Sequence, residues 1–67
     1  MLSDREAAQV EVEHLHAEEE REKAIALSLP PGEARDAHWM RGERLSDDAW
    51  SIEERFDLDP VPSGLWR

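Results

Sequence analysis

The chain of 67 residues contains no cysteine and no tyrosine, a single phenylalanine, and no glycine or proline before residue 30. Without cysteine there is no disulfide framework and no thiolate metal site to reinforce a small core, and nothing marks an oxidising compartment. Basic residues are also scarce: 8 Lys plus Arg stand against 17 acids, and the net charge of −9 is spread over both halves of the chain. A field of that sign repels DNA, RNA and anionic lipid, so basic protein surfaces are its natural partners, unless it only keeps the chain soluble. No apolar run approaches the roughly 20 residues needed to span a bilayer. The N-terminus has no basic stretch followed by an apolar one, as a secretory signal would, and its acidity opposes an organelle transit peptide. The expected location is therefore the cytoplasm.

A chain this short forms one domain, residues 1–67, and buries only about 60% of the surface its unfolded state exposes. With no disulfide available, a partner is the usual remaining source of stability. The 37% of charged residues leans toward disorder. Against that stand Trp39, Trp50, Phe56 and Trp66, crowded into the C-terminal half.

What the chain does contain is helix-forming sequence. Ser3-Asp4-Arg5-Glu6 has the spacing of a capping box, in which Ser3 and Glu6 satisfy each other's amides. Leu2 and Ala7 stand at the two positions of a hydrophobic staple. Alanine, leucine, glutamate and lysine then favour helix up to Leu29. Ala8, Val12 and Leu15 share one face and Ala17, Ala24 and Ile25 a neighbouring stripe, but Glu18 to Lys23 offer no apolar residue. Either one long helix crosses solvent at its middle, or a loose N-terminal helix meets a second packed segment at 24–29. A single helix with a less well packed first half is the expectation.

Leu29-Pro30-Pro31-Gly32 must end that helix, because the prolines disfavour helical geometry before them and cannot donate. A second helix is expected over 33–45, with Ala34, Ala37, Met40 or Arg41, and Leu45 facing inward. Ser46 reads as the N-cap of a short third helix over 47–56 that presents Ala49, Trp50, Ile52 and Phe56. The tail, 57–67, has two prolines and a glycine and is expected to be extended, laying Leu58, Val61, Leu65 and Trp66 into a groove. The fold class is all-α: a small helical hairpin with a long acidic N-terminal helix over 1–29, a helix pair over 33–56 and an extended C-terminal tail.

Candidate chemistry is thin. His14 with Glu18, or His16 with Glu20, lie four apart and offer two metal ligands from one face. His14 and His16 themselves lie about 200° apart around a helix and cannot share an ion. The second histidine at i+4 that makes the metalloprotease motif specific is missing. His38 would need an orienting acid; Asp36 is on another face, Glu43 is awkwardly placed, and no Cys or Tyr nucleophile exists. Trp39, beside Arg35 and Arg41, suits an interface anchor as well as it suits a packed core residue. Base stacking would need a positive groove that the chain lacks. Glu11, Glu18 and Glu22 fall on one helical side with Asp4 in line, which permits imitation of nucleic-acid phosphates, though charge runs are usually solvated faces.

Residues 21–45, "REKAIALSLPPGEARDAHWMRGERL", resemble a short bacterial helical-hairpin domain of unknown function. The matching residues are Arg21, Ala24, Pro31, Gly32, His38, Trp39, Gly42 and Glu43, with Gly42 where that domain has alanine. The resemblance implies two helices around a Pro-Gly turn and carries no catalytic residue. The combined expectation is a non-enzymatic protein-binding module, an accessory or inhibitory small subunit that docks on a larger cytoplasmic protein or on its own copy. It would have no catalytic, cofactor-binding or metal residues, no small-molecule substrate, no direct contact with nucleic acid and no membrane. Val12, Leu15, Trp39, Leu58, Val61, Leu65 and Trp66 are its candidate contact residues. The alternatives are an acidic nucleic-acid mimic that blocks a DNA- or RNA-binding protein, and a small metal-binding or catalytic protein using His38 or His14/His16.

Overall fold

The computed structural model describes residues 2–58, which fold into two helices, α1 (Asp4–Ser28) and α2 (Glu33–Phe56), joined by a four-residue turn. The described residues contain no strand. Val61, Leu65, Trp66 and the rest of the expected extended tail lie outside them. Rising numbers on α1 meet falling numbers on α2: Arg5 reaches the Phe56 carbonyl, His16 reaches Glu53 and Glu22 reaches His38. The hairpin is therefore antiparallel, and the molecule extends 43 × 20 × 19 Å. No described helix is long and apolar enough to cross a membrane.

Local chemistry sets the ends. The Ser3 hydroxyl accepts from the Glu6 amide at 3.1 Å and a Glu6 carboxylate oxygen accepts from the Ser3 amide at 3.3 Å, so the capping box is formed. Leu2 and Ala7, at the two staple positions, are both exposed. Helix α1 stops at Leu29, whose backbone turns extended ahead of Pro30 and whose amide still donates to the Ala26 carbonyl. At the far end Asp57 adopts left-handed geometry, φ 51° and ψ 50°. The amides of Leu58 and Asp57 then donate to the carbonyls of Glu53 and Glu54, at 2.9 and 3.3 Å. This reversal folds Leu58 back into the core. The Arg5 guanidinium donates to the Phe56 and Asp57 carbonyls at 2.8 and 2.9 Å, placing a cation on the negative end of α2.

Among the described residues the third helix expected over 47–56 is not present: α2 runs unbroken through Ser46, and Trp50 is 60% exposed. Serine inside a helix costs only a few tenths of a kcal/mol, and neither Asp47 nor Asp48 forces a break. Continuity is favoured because Gly42 and Ala49, seven apart, are both buried, with Leu45, Ile52 and Phe56 half-buried beside them. Starting a new helix at 47 would turn Ala49, Ile52 and Phe56 away from α1. In that register Ala34, Ala37, Met40 and Arg41 are exposed and Leu45 is half-buried.

Helix α1 is a single helix through 18–23, but the expectation about its packing is reversed. Ala8, Val12 and Leu15, in its first half, join Ala49 and Leu58 as the apolar core, with Leu45, Ile52 and Phe56 against them. Ala17, Ala24 and Ile25 are exposed, and Ala26 is the buried residue of the last turns. The buried positions 8, 12, 15, 19, 23 and 26 recur at steps of three and four, the spacing of a helix that packs along one seam.

Two substitutions at the backbone check this account. A Cβ at Gly42 would stand 2.8 Å from Lys23 Cγ and 3.4 Å from the Glu19 carbonyl oxygen. Gly42→Ala is therefore expected to cost about 1 kcal/mol net, overpacking outweighing the gain in helix propensity, and to lower the thermal midpoint. Asp57→Gly relieves left-handed geometry at a non-glycine residue and should raise stability by about 0.5–1 kcal/mol in denaturant titration.

Candidate functional site

The apolar gap at Glu18 to Lys23 is filled by charge. Glu19 and Lys23 are both 0% exposed, and with Val12 they are the largest fully buried side chains of the described residues. Lys23 Nζ donates to Glu19 Oε2 at 2.9 Å, one helical turn away, and stands 3.7 Å from Glu43 Oε1 on α2. Its ammonium also lies 4.9 Å from the centroid of the Trp39 ring, within range of a cation–π attraction. Gly42 leaves the space through which the Lys23 stem passes. The segment "HWMRGE" is thus the wall of a lysine seat: Trp39 supplies a ring face, Gly42 a gap and Glu43 a carboxylate.

His16 extends the layer. Its Nδ1 is 3.0 Å from Glu19 Oε1 and its Nε2 is 2.8 Å from Glu53 Oε1 on the other helix. Glu53 is itself buried. Both ring nitrogens face carboxylates, and only the imidazolium carries two protons to donate there. Burial by itself lowers the His16 pKa, but hydrogen bonds to Glu53 and Glu19, with the charges of the same two carboxylates, outweigh it and hold the value above 6.5. The layer contains two buried acids, Glu19 and Glu53, balanced by two bases, His16 and Lys23. No described buried side-chain nitrogen or oxygen lacks a hydrogen-bond partner.

The other sequence candidates are placed as follows. Val12, Leu15 and Leu58 are buried in the core between the helices. Trp39 is half-buried against Lys23. His38 pairs through Nδ1 with Glu22 of α1 at 2.7 Å, an acid 16 residues upstream, and not with Asp36 or with Glu43, which faces Lys23. His14 pairs with Glu18 at 2.8 Å on the exposed side. His16 pairs with Glu19 and Glu53, not Glu20. Among the described residues no group of three or more His, Asp or Glu is arranged to hold a metal ion. Of the serines, Ser3 caps α1 and Ser28 donates to the Ile25 carbonyl. The sequence signal for the buried layer is faint: Glu19 and Lys23 continue the step of Val12 and Leu15, and Gly42 stands inside a helix-forming stretch without an obvious use.

Removing one member of the layer separates pairing from packing. Lys23→Met keeps the stem but strands a buried carboxylate, at an expected cost of about 3–5 kcal/mol, enough to unfold much of a domain this small. The double variant Glu19→Leu/Lys23→Met should recover most of that loss, since a buried ion pair replaced as a unit is often neutral. Circular dichroism melts of the two variants check it; equal stability of Lys23→Met and the parent chain would contradict the buried pair. Compared with family models, curated proteins and solved structures, the chain matches none, and its functional reading rests on its own geometry.

Proposed function

We propose that the chain is a non-enzymatic protein-binding module, an accessory or inhibitory small subunit that docks on a larger cytoplasmic protein through the outer face of α2. The observation that carries this reading is Trp50, 60% exposed in a helix whose neighbouring Ala49 is fully buried. Exposed tryptophan is the residue type that most often anchors an interface, because its ring brings a large area to the partner at little entropic cost. Trp50 shares a shallow hollow with Leu58, lined by buried Glu53 and rimmed by exposed Glu54 and Asp57. An apolar anchor inside an acidic rim fits a partner surface with an apolar pocket among Lys and Arg, and the net charge of −9 favours the same encounter. Val12 and Leu15 are buried between the helices, and half-buried Trp39 packs against Lys23, so Trp50 is the residue on which this reading rests.

Docking is favoured over imitation of nucleic acid by the fate of the proposed acidic stripe. Of Glu11, Glu18 and Glu22, the second is paired with His14 and the third with His38, so two of the three are tied to histidines of the same chain. The catalytic alternative has His38 and Glu22 as a pair, with no serine hydrogen-bonded to either among the described residues.

Pull-down from the native cell with quantitative mass spectrometry tests the reading. The expected result is a protein retained by the parent chain and reduced at least tenfold with Trp50→Ala, with helicity and melting unchanged, and still retained at moderate salt. Retention that ignores Trp50→Ala but is lost in moderate salt and in Glu11→Gln/Glu18→Gln/Glu22→Gln would favour the mimic instead.

A further inference from the structure

We infer that His16 is a proton-operated latch between the two helices, closed when its ring is an imidazolium tying Glu19 of α1 to Glu53 of α2, and released when the ring loses a proton. The geometry carries this. The ring is wedged between two carboxylates on different helices, at 3.0 and 2.8 Å, and one of them, Glu19, has no contact with solvent. A neutral imidazole has one N–H, so either tautomer turns a lone pair toward a buried carboxylate at hydrogen-bond distance. One of the two cations described in the layer is then lost, and Glu19 and Glu53 both face an uncharged ring. An unbalanced buried charge of this kind is relieved by letting water in, which means parting the helices at this level.

The surroundings of the ring favour the closed state at neutral pH. On α1 it faces Glu19 directly and Lys23 through Glu19, with Glu13 exposed and Glu20 half-buried one turn to either side. On α2 it faces Glu53, while Glu54 and Asp57 lie on the exposed surface. The raised His16 pKa agrees with that arrangement. For a base whose pKa is higher folded than unfolded, the stabilisation is complete below the unfolded value, here 6.5, and is lost as pH rises through the folded value. The latch therefore releases on the alkaline side, and Ala8, Val12 and Leu15, whose core lies on the N-terminal side of the layer, lose the crosslink next to them.

The test is an NMR titration of the histidine rings in the full chain, with thermal melts from about pH 6 to about pH 9. The expected result is a His16 midpoint above 6.5 and a melting temperature that falls over the same interval. His16→Gln should flatten that fall relative to the parent, and Glu53→Gln should move the His16 midpoint downward. A His16 midpoint at or below 6.5, or a fall in melting temperature that persists unchanged in His16→Gln, overturns the latch. If His16→Gln does not fold, the titration of the parent chain and of Glu53→Gln decides it.

Discussion

The ion pair between Glu19 and Lys23 is the constraint around which the hairpin is arranged. Withdrawing two such groups from water costs several kcal/mol per ion even after relaxation, and attraction offsets it only when the remaining donors and acceptors are satisfied. Each neighbour meets part of that demand. His16 takes the second oxygen of Glu19, Glu43 and the Trp39 ring flank the ammonium, and Gly42 removes the side chain that would otherwise occupy the path of the lysine stem. The four methylenes of Lys23 also contribute apolar volume at a level where the seam has no leucine or valine.

This layer divides the labour between stability and alignment. The apolar core, Ala8, Val12, Leu15, Ala49 and Leu58, is small and partly alanine, and such a surface tolerates sliding. A buried ionic layer does not, since any slip of α2 along α1 separates His16 from Glu53 and drives a side chain into Lys23. At the far end Arg5 clamps the last carbonyls of α2, and near the turn Glu22 and His38 pair across the helices. Polar contacts thus mark three levels of the hairpin, and the apolar residues fill between the first two.

Of the residues that look most chemical in the sequence, His38 pairs with Glu22, Trp39 packs against Lys23, Glu18 pairs with His14 and Glu19 with Lys23 and His16. The surface left over is acidic and bears Trp50 and Met40, 60% and 67% exposed. The described hairpin has little core to hide a tryptophan in, and Trp50 is carried on the outer face of α2.

Local chemistry was legible from residue order. The Ser3–Glu6 capping box, the stop at Leu29 ahead of two prolines, the all-helical class and the shared helical face of Ala8, Val12 and Leu15 each depend on groups within a turn or two of one another. The third helix expected at Ser46 does not form for the same reason: a capping residue is a local signal, and the packing of Ala49, Ile52 and Phe56 against α1 overrides it. Whether Glu19 and Lys23 are solvated or buried depends on Gly42 and Glu43, some twenty residues on, and the state of His16 depends on Glu53, 37 residues away. A charge is stable inside a protein only when its partners converge on it in space, and that convergence exists only once α2 has folded back along α1.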